Sequence, residues 1–168
     1  PRMGIGYVAG NLRANGVEVQ ILDCKALNLG MEDVRKKIEE FRPDILGTGP
    51  FTEEIYDSYK VCEIAKNVDS KIVIVFGGPH DCALPERTLT ECSDLDIVVM
   101  GEGERTFVSI ANGENLNSVK GVAFRDSGKI KVNEHVDLIE DLDSLPYPAW
   151  DLFPLDAYRG ILTLHLRE

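Results

Sequence analysis

Two apolar runs in this chain each stop on a glycine turn. Residues 71–76 lead into Gly77-Gly78-Pro79-His80, and residues 96–100 into Gly101-Glu102-Gly103-Glu104. Each reads as a buried strand that ends in a tight bend before a helix. In an open α/β sheet, ligands bind at the carboxyl ends of the strands. Glycine there lets a backbone come close to a ligand, because no Cβ stands in the way. Thr48-Gly49-Pro50-Phe51-Thr52 follows a third apolar run in the same manner. One such bend is explained by a tight connection alone. Three at successive strand ends predict one ligand groove, with Thr48, Gly49, Pro50, Thr52, Gly77, Gly78, Pro79, His80, Gly101, Glu102 and Gly103 as its candidate residues.

The rest of the pattern alternates. Residues 3–15 read as a helix with Ile5, Val8, Ala9 and Leu12 near helical spacing and Gly16 as the stop signal. Residues 17–22 read as a strand. Residues 31–41 read as a helix, with Val34, Ile38 and Phe41 on one stripe and Glu32, Lys36 and Glu40 outside it; Pro43 ends it. A strand over 44–48, a helix over 53–67, the strand over 71–76, a short helix over 85–92, the strand over 96–100 and a helix over 104–112 follow. The β-branched content of 71–76 suits a parallel strand buried on both faces. This alternation predicts an α/β fold over residues 1–113: a flavodoxin-like, doubly wound parallel sheet covered by helices.

Beyond Gly113 the period changes. Residues 119–125 and 129–133, joined by Asp126-Ser127-Gly128, read as a hairpin, a small β appendage over 114–141. Residues 142–168 read as an extended linker leaving the domain, rich in proline and aromatics up to Tyr158, with a strand-type apolar run at 161–166. A doubly wound sheet normally opens on a central strand, whereas this chain opens on the helix that should follow one. Either residues ahead of Pro1 supply that strand or another strand fills the gap. Residues 161–166 are the spare candidate, pairing with the sheet or with a second copy as a homodimer.

Charge narrows the partners. A net charge of −11 argues against nucleic acid and anionic membrane surfaces. No apolar run approaches the length of a membrane span, and no signal peptide is visible. Cys24, Cys62, Cys82 and Cys92 form no Cys-x-x-Cys pair, so reduced thiols in a cytoplasmic protein are expected, and no metal site. The chain lacks a starting Met and reads as a piece of a longer protein.

Other groups were weighed as chemistry and as plain structure. His80, His135 and His165 are isolated, and none has metal co-ligands at suitable spacing. Glu102 and Glu104 suggest a carboxylate pair, but they adjoin a helix start, where acids suit the dipole. Tyr147-Pro148-Ala149-Trp150 reads as an anchor for the linker. Gly4-Ile5-Gly6-Tyr7-Val8-Ala9 fits the loose pattern Gly-x-Gly-x-x-Ala, with Asp23 placed as a ribose-binding acid. No phosphate-binding Gly-x-x-x-x-Gly-Lys loop and no Gly-x-Ser-x-Gly elbow is present, and no catalytic residue is assigned. The fragment reads as binding rather than catalysing.

The order of motifs resembles a known family. Gly77-Gly78-Pro79-His80, Leu84-Pro85-Glu86 and Asp96-Ile97-Val98-Val99-Met100-Gly101-Glu102-Gly103-Glu104 are similar to the cobalamin-binding amino-terminal domain of radical S-adenosylmethionine enzymes. That group includes the anaerobic magnesium-protoporphyrin IX monomethyl ester oxidative cyclase type and related methyltransferases. Residues 3–9 and 16–19 match its opening helix and second strand, and residues 142–151 its exit linker. The resemblance implies cobalamin as cofactor, with the eleven residues above as its contacts. Thr48 and Thr52 would hydrogen-bond tail hydroxyls or phosphate, and Gly101–Gly103 would flank ring or base. It also implies a partner in the protein's own radical domain, which would carry the S-adenosylmethionine and the iron–sulfur cluster; the Cys-x-x-x-Cys-x-x-Cys of that half is not in this chain. Many cobalamin domains hold cobalt through the histidine of Asp-x-His-x-x-Gly. Here only Pro1, Arg2 and Met3 precede Gly4, which implies a lower cobalt face without a protein imidazole.

Two rivals stand beside that reading: a NAD(P)-type dinucleotide-binding oxidoreductase module through Gly4, Gly6 and Asp23, and a non-catalytic sensor or docking domain of the same fold.

Overall fold

The computed structural model describes residues 1–135 and 138–158. Its centre is a five-stranded sheet in the order β1 (Ile45–Thr48), β2 (Val73–Phe76), β3 (Ile97–Val99), β4 (Val122–Asp126), β5 (Lys129–Val132). β1, β2 and β3 are parallel, and their register sets Thr48 beside Phe76 and Phe76 beside Val98. The three strands therefore end nearly level. β4 pairs antiparallel with β3, and β5 with β4. The hairpin thus extends the main sheet rather than standing apart, so the sheet is mixed and not wholly parallel. The turn works because Ser127 and Gly128 both adopt positive φ.

The helices are α1 (Met3–Ala14), α2 (Met31–Phe41), α3 (Ile55–Val68), α4 (Pro79–Ala83), α5 (Pro85–Glu91) and α6 (Gly103–Ala111). α4 had no counterpart in the sequence pattern. Strand alternation sorts the core into two layers. Ile74, Phe76, Val98, Met100 and Ala123 meet Val34 and Ile38 of α2, Cys62 and Ala65 of α3 and Leu89 of α5 on one face. Val75, Ile97, Val99, Val122 and Phe124 meet Ile110 of α6 on the other. Burial on both faces explains why β2 and β3 read as unbroken apolar runs. α2 shows the local rules plainly. Asp33 Oδ2 accepts from the Gly30 amide at 3.0 Å at its start, and Arg42 turns left-handed (φ 51°) ahead of Pro43 at its end.

One expectation changes. Residues 17–22 carry strand-type residues but form no strand, because a ladder needs a neighbour and none lies beside them among the described residues. The segment up to Tyr158 lies across α1 through short 3₁₀ turns. Ala149 donates to Gly6 O at 3.0 Å, Phe153 is buried, and Arg13 pairs with Asp151 at 2.8 Å. The run at 161–166, with His165, falls outside the described residues, as does any pairing it makes.

Candidate functional site

The three bends meet. Gly77 N donates to Thr48 O at 2.9 Å. A Cβ on Gly49 would lie 2.4 Å from Gly77 O, and one on Gly78 would lie 2.9 Å from Pro50 O. These two glycines are needed because the first two turns press backbone against backbone. The third turn needs glycine for another reason: Gly101 sits at φ 79°. Gly103 then opens α6, and a Cβ there would make only ordinary contact with Val99 and Val8.

A groove of about 770 Å³ runs beside these turns. Its upper part is formed at the strand ends by Thr48, Gly49, Gly77, Gly78, Pro79, Gly101, Glu102 and Gly103, with Arg2, Phe51, Cys82 and Glu104 around them. Its lower part follows the outer edge of β1, between Ile45 and Gly47 on one side and residues 17–21 on the other. Three candidates stand apart. Pro50 is fully buried behind the turn, while His80 Nδ1 and Thr52 Oγ1 lie 3.1 Å apart on the exposed side.

The polar groups around the mouth are mostly committed. Glu102 Oε2 accepts from the Ile139 amide at 2.5 Å. Arg2 donates to Gly49 O at 2.5 Å, pairs with Glu54 and lies 4.8 Å over the Phe51 ring. Lys25 pairs with the same Glu54. Burial raises the Glu54 carboxyl, but hydrogen bonds from Lys25, Arg2 and the Phe51 amide outweigh it and hold it down at about 2. Glu104 keeps one oxygen, Oε2, buried and without a partner. Asp81, on α4 just past the Gly77-Gly78 turn, is wholly buried with both oxygens unpaired, and that burial pushes it up to about 7. Sequence reasoning missed Asp81, Arg2, Phe51 and Glu54. The signal available for Arg2 was its place just before α1, at the level of the strand ends.

The dinucleotide pattern dissolves into helix packing. α1 begins at Met3, so Gly4 and Gly6 are helical residues rather than a phosphate-binding turn. A Cβ at Gly6 would meet Phe153 and Pro148, and one at Gly10 would lie 2.4 Å from Tyr147 O. These small residues receive the 147–153 segment. Asp23 accepts from Tyr158 Oη at 2.5 Å and from the Ala26 amide. Burial raises its carboxyl, yet these bonds keep it below its ordinary value.

An α/β sheet with backbone-lined bends at the carboxyl ends of its parallel strands is the place where such folds hold a ligand. The chain belongs to the B12 binding domain family, whose pattern matches residues 1–111. Over 164 residues it is 37% identical to an uncharacterized methyltransferase of Pyrococcus horikoshii, covering 95% of this chain and 36% of that protein. It is 32% identical to the anaerobic magnesium-protoporphyrin IX monomethyl ester cyclase of Rubrivivax gelatinosus, covering 94% and 30%. The fold is shared with OxsB, a cobalamin-dependent S-adenosylmethionine radical enzyme (TM-score 0.74, 19% identity, 92% of this chain and 22% of that one). It is also shared with the radical S-adenosylmethionine methyltransferase TsrM of Kitasatospora setae, solved with cobalamin and a [4Fe-4S] cluster (TM-score 0.69, 14% identity, 88% and 29%). The chain thus spans about a third of the curated relatives it matches. The dinucleotide reading is not favoured. No helix among the described residues is long and apolar enough to cross a membrane.

Proposed function

We propose that this domain holds cobalamin at the carboxyl ends of β1, β2 and β3 and presents it to a radical S-adenosylmethionine centre carried by another part of the same protein. The observation that carries this reading is the level convergence of three bends, two of them packed backbone to backbone. Peptide groups of Gly77, Gly78 and Gly101–Gly103 would line the cofactor, with Pro79 and Glu102 beside them. The Thr48 hydroxyl would hydrogen-bond its nucleotide tail. Gly49 and Pro50 would set the shape from behind, with Thr52 and His80 at the outer rim. The groove fits a large ligand held by shape, since its lining is mainly apolar side chain and bare backbone.

Cobalamin, when bound, supplies a cobalt centre able to carry an alkyl group or tune a radical step. In the whole protein this would serve methyl transfer or oxidative ring formation, in the cytoplasm of an anaerobe. S-adenosylmethionine and the iron–sulfur cluster belong to the radical part.

Incubation with hydroxocobalamin followed by desalting tests this. A corrinoid spectrum should stay with the protein near one equivalent per chain, while NADH gives no saturable signal. Binding of neither ligand would leave a docking domain that has lost its cofactor, and NADH binding alone would restore the dinucleotide reading.

A further inference from the structure

Two of the four thiols meet inside the first core layer. Cys62, on α3, is fully buried, and Cys92, the residue that ends α5, is 6% exposed. Both are free thiols and pack in one cluster with Phe76 and Leu89. The Cys62 thiol hydrogen-bonds the Cys92 sulfur. Backbone bonds hold Cys92 in place from both sides. Its amide donates to Thr88 O at 3.1 Å, and its carbonyl accepts from the Arg125 guanidinium at 3.1 Å. The Cys92 sulfur also accepts from the amides of Leu95 and Asp94. The bond from Cys62, helped by these amides, holds the Cys92 thiol below its ordinary range against the burial that raises it. Donation to Cys92 and burial push Cys62 up. One sulfur is thus favoured as a thiolate, and the other is kept a thiol in contact with it. The remaining two cysteines are placed differently. Burial and the charge of Asp23 push Cys24 up, and Cys82 Sγ donates to Val99 O at 3.6 Å.

We propose that Cys62 and Cys92 are a peroxide-reactive pair: Cys92 is oxidised first, and Cys62 then closes a disulfide that ties α3 to the end of α5. The Cys92 thiolate attacks one oxygen of hydrogen peroxide. The O–O bond breaks, and the leaving hydroxide takes up a proton and departs as water. Cys92 is left as a sulfenic acid. The Cys62 sulfur then attacks the Cys92 sulfur, the S–O bond breaks, and hydroxide leaves with the Cys62 proton as a second water. Two thiols and one peroxide give one disulfide and two waters, with two electrons passing from sulfur to oxygen. Cys62 already touches its target, so closure asks only for the approach of two side chains. The crosslink bears on the cradle. α3 follows the Thr48–Thr52 bend, and α5 follows the Gly77-Gly78 bend through α4. A Cys62–Cys92 bond therefore fastens together the helices that leave the two joined turns, and residues 62–92 between them carry β2, the second bend and Asp81. The inference does not depend on which cofactor the cradle holds.

The test treats the reduced, desalted chain with hydrogen peroxide, alkylates the remaining thiols in denaturant and maps the products by peptide mass spectrometry. A linked Cys62–Cys92 peptide, lighter by two hydrogens, should form at least about tenfold faster than any oxidised product of Cys24 or Cys82. Dithiothreitol should return both thiols. In Cys62→Ala, Cys92 should stop at the sulfenic acid and be trapped by dimedone. In chain unfolded by urea, the preference for this pairing should vanish. Cys62 and Cys92 that stay alkylatable in excess peroxide overturn the proposal. So does a disulfide of any other pairing in the folded chain, or a preference for Cys62–Cys92 that survives in urea. If Cys62→Ala does not fold, the wild-type map decides alone, since it needs no substitution.

Discussion

The two edges of the sheet are finished in opposite ways. β5 alternates Lys129 and Lys131 with Ile130 and Val132, and Lys131 pairs with Asp126 and Asn117. Charge on an edge strand repels further pairing. β1, Ile45-Leu46-Gly47-Thr48, carries no charge and opens onto an apolar groove. The comparison teaches that β5 closes the sheet while β1 continues a surface. It also shows that the inner row of β1, sealed against β2 and its turn, carries the architecture of the site.

That sealed row should be the easiest to break. Gly49→Val drives a side chain into the Gly77 carbonyl, where only backbone movement can relieve the clash. A loss of about 3 kcal/mol or more in urea unfolding is expected. A loss within about 0.5 kcal/mol would show that the two turns are not rigidly joined.

Asp81 sharpens the same comparison through pH. Its folded-state carboxyl is raised to about 7 from an ordinary 3.8, so the folded state holds a proton that the unfolded state releases. Stability should therefore be complete below about pH 4 and fall as pH rises toward 7, by at most about 4 kcal/mol. Asp81→Asn should flatten that slope in thermal melts from pH 4 to 8, and an unchanged slope would assign it to another group.

On the open side, Arg2→Ala removes the cap on Gly49 O and one of two cations on Glu54. A loss of about 1–2 kcal/mol is expected at neutral pH. Glu54 is depressed in the folded state, so its contribution is present above its ordinary pKa near 4.5 and fades as pH falls toward 2. The wild-type advantage over Arg2→Ala should shrink with it. The smallest effect belongs to β5. Lys131→Ala should leave the urea midpoint unchanged, because the pair is exposed. Lys129→Val with Lys131→Val should instead promote concentration-dependent association in sedimentation, turning a closed edge into an open one.

Much of this was legible in the chain. Residues 31–41 emerge as α2 because the apolar stripe and Pro43 agree. The bends at 48–52, 77–80 and 101–104 follow from apolar runs that stop on glycine. Residues 17–22 misled because alternation describes a side-chain pattern, whereas a strand exists only with a partner. The hairpin was readable as a hairpin, but its docking on β3 is a tertiary fact. Gly4 and Gly6 looked like a nucleotide fingerprint, although Gly6 and Gly10, four apart on α1, mark a helix face that receives another segment. The burial of Asp81 had no sequence signal at all, since a charged residue after Pro79-His80 reads as solvated.

The most direct measurement of the account's centre is a corrinoid titration of this chain beside Gly103→Leu. Gly103 lines the cradle, and a Cβ there meets only Val99 and Val8 at ordinary contact distance, so the variant should fold, with unchanged circular dichroism. If peptide groups at the strand ends hold cobalamin, the leucine should weaken binding at least about tenfold, near 1.4 kcal/mol. Equal affinity of the two folded proteins would place the cofactor elsewhere.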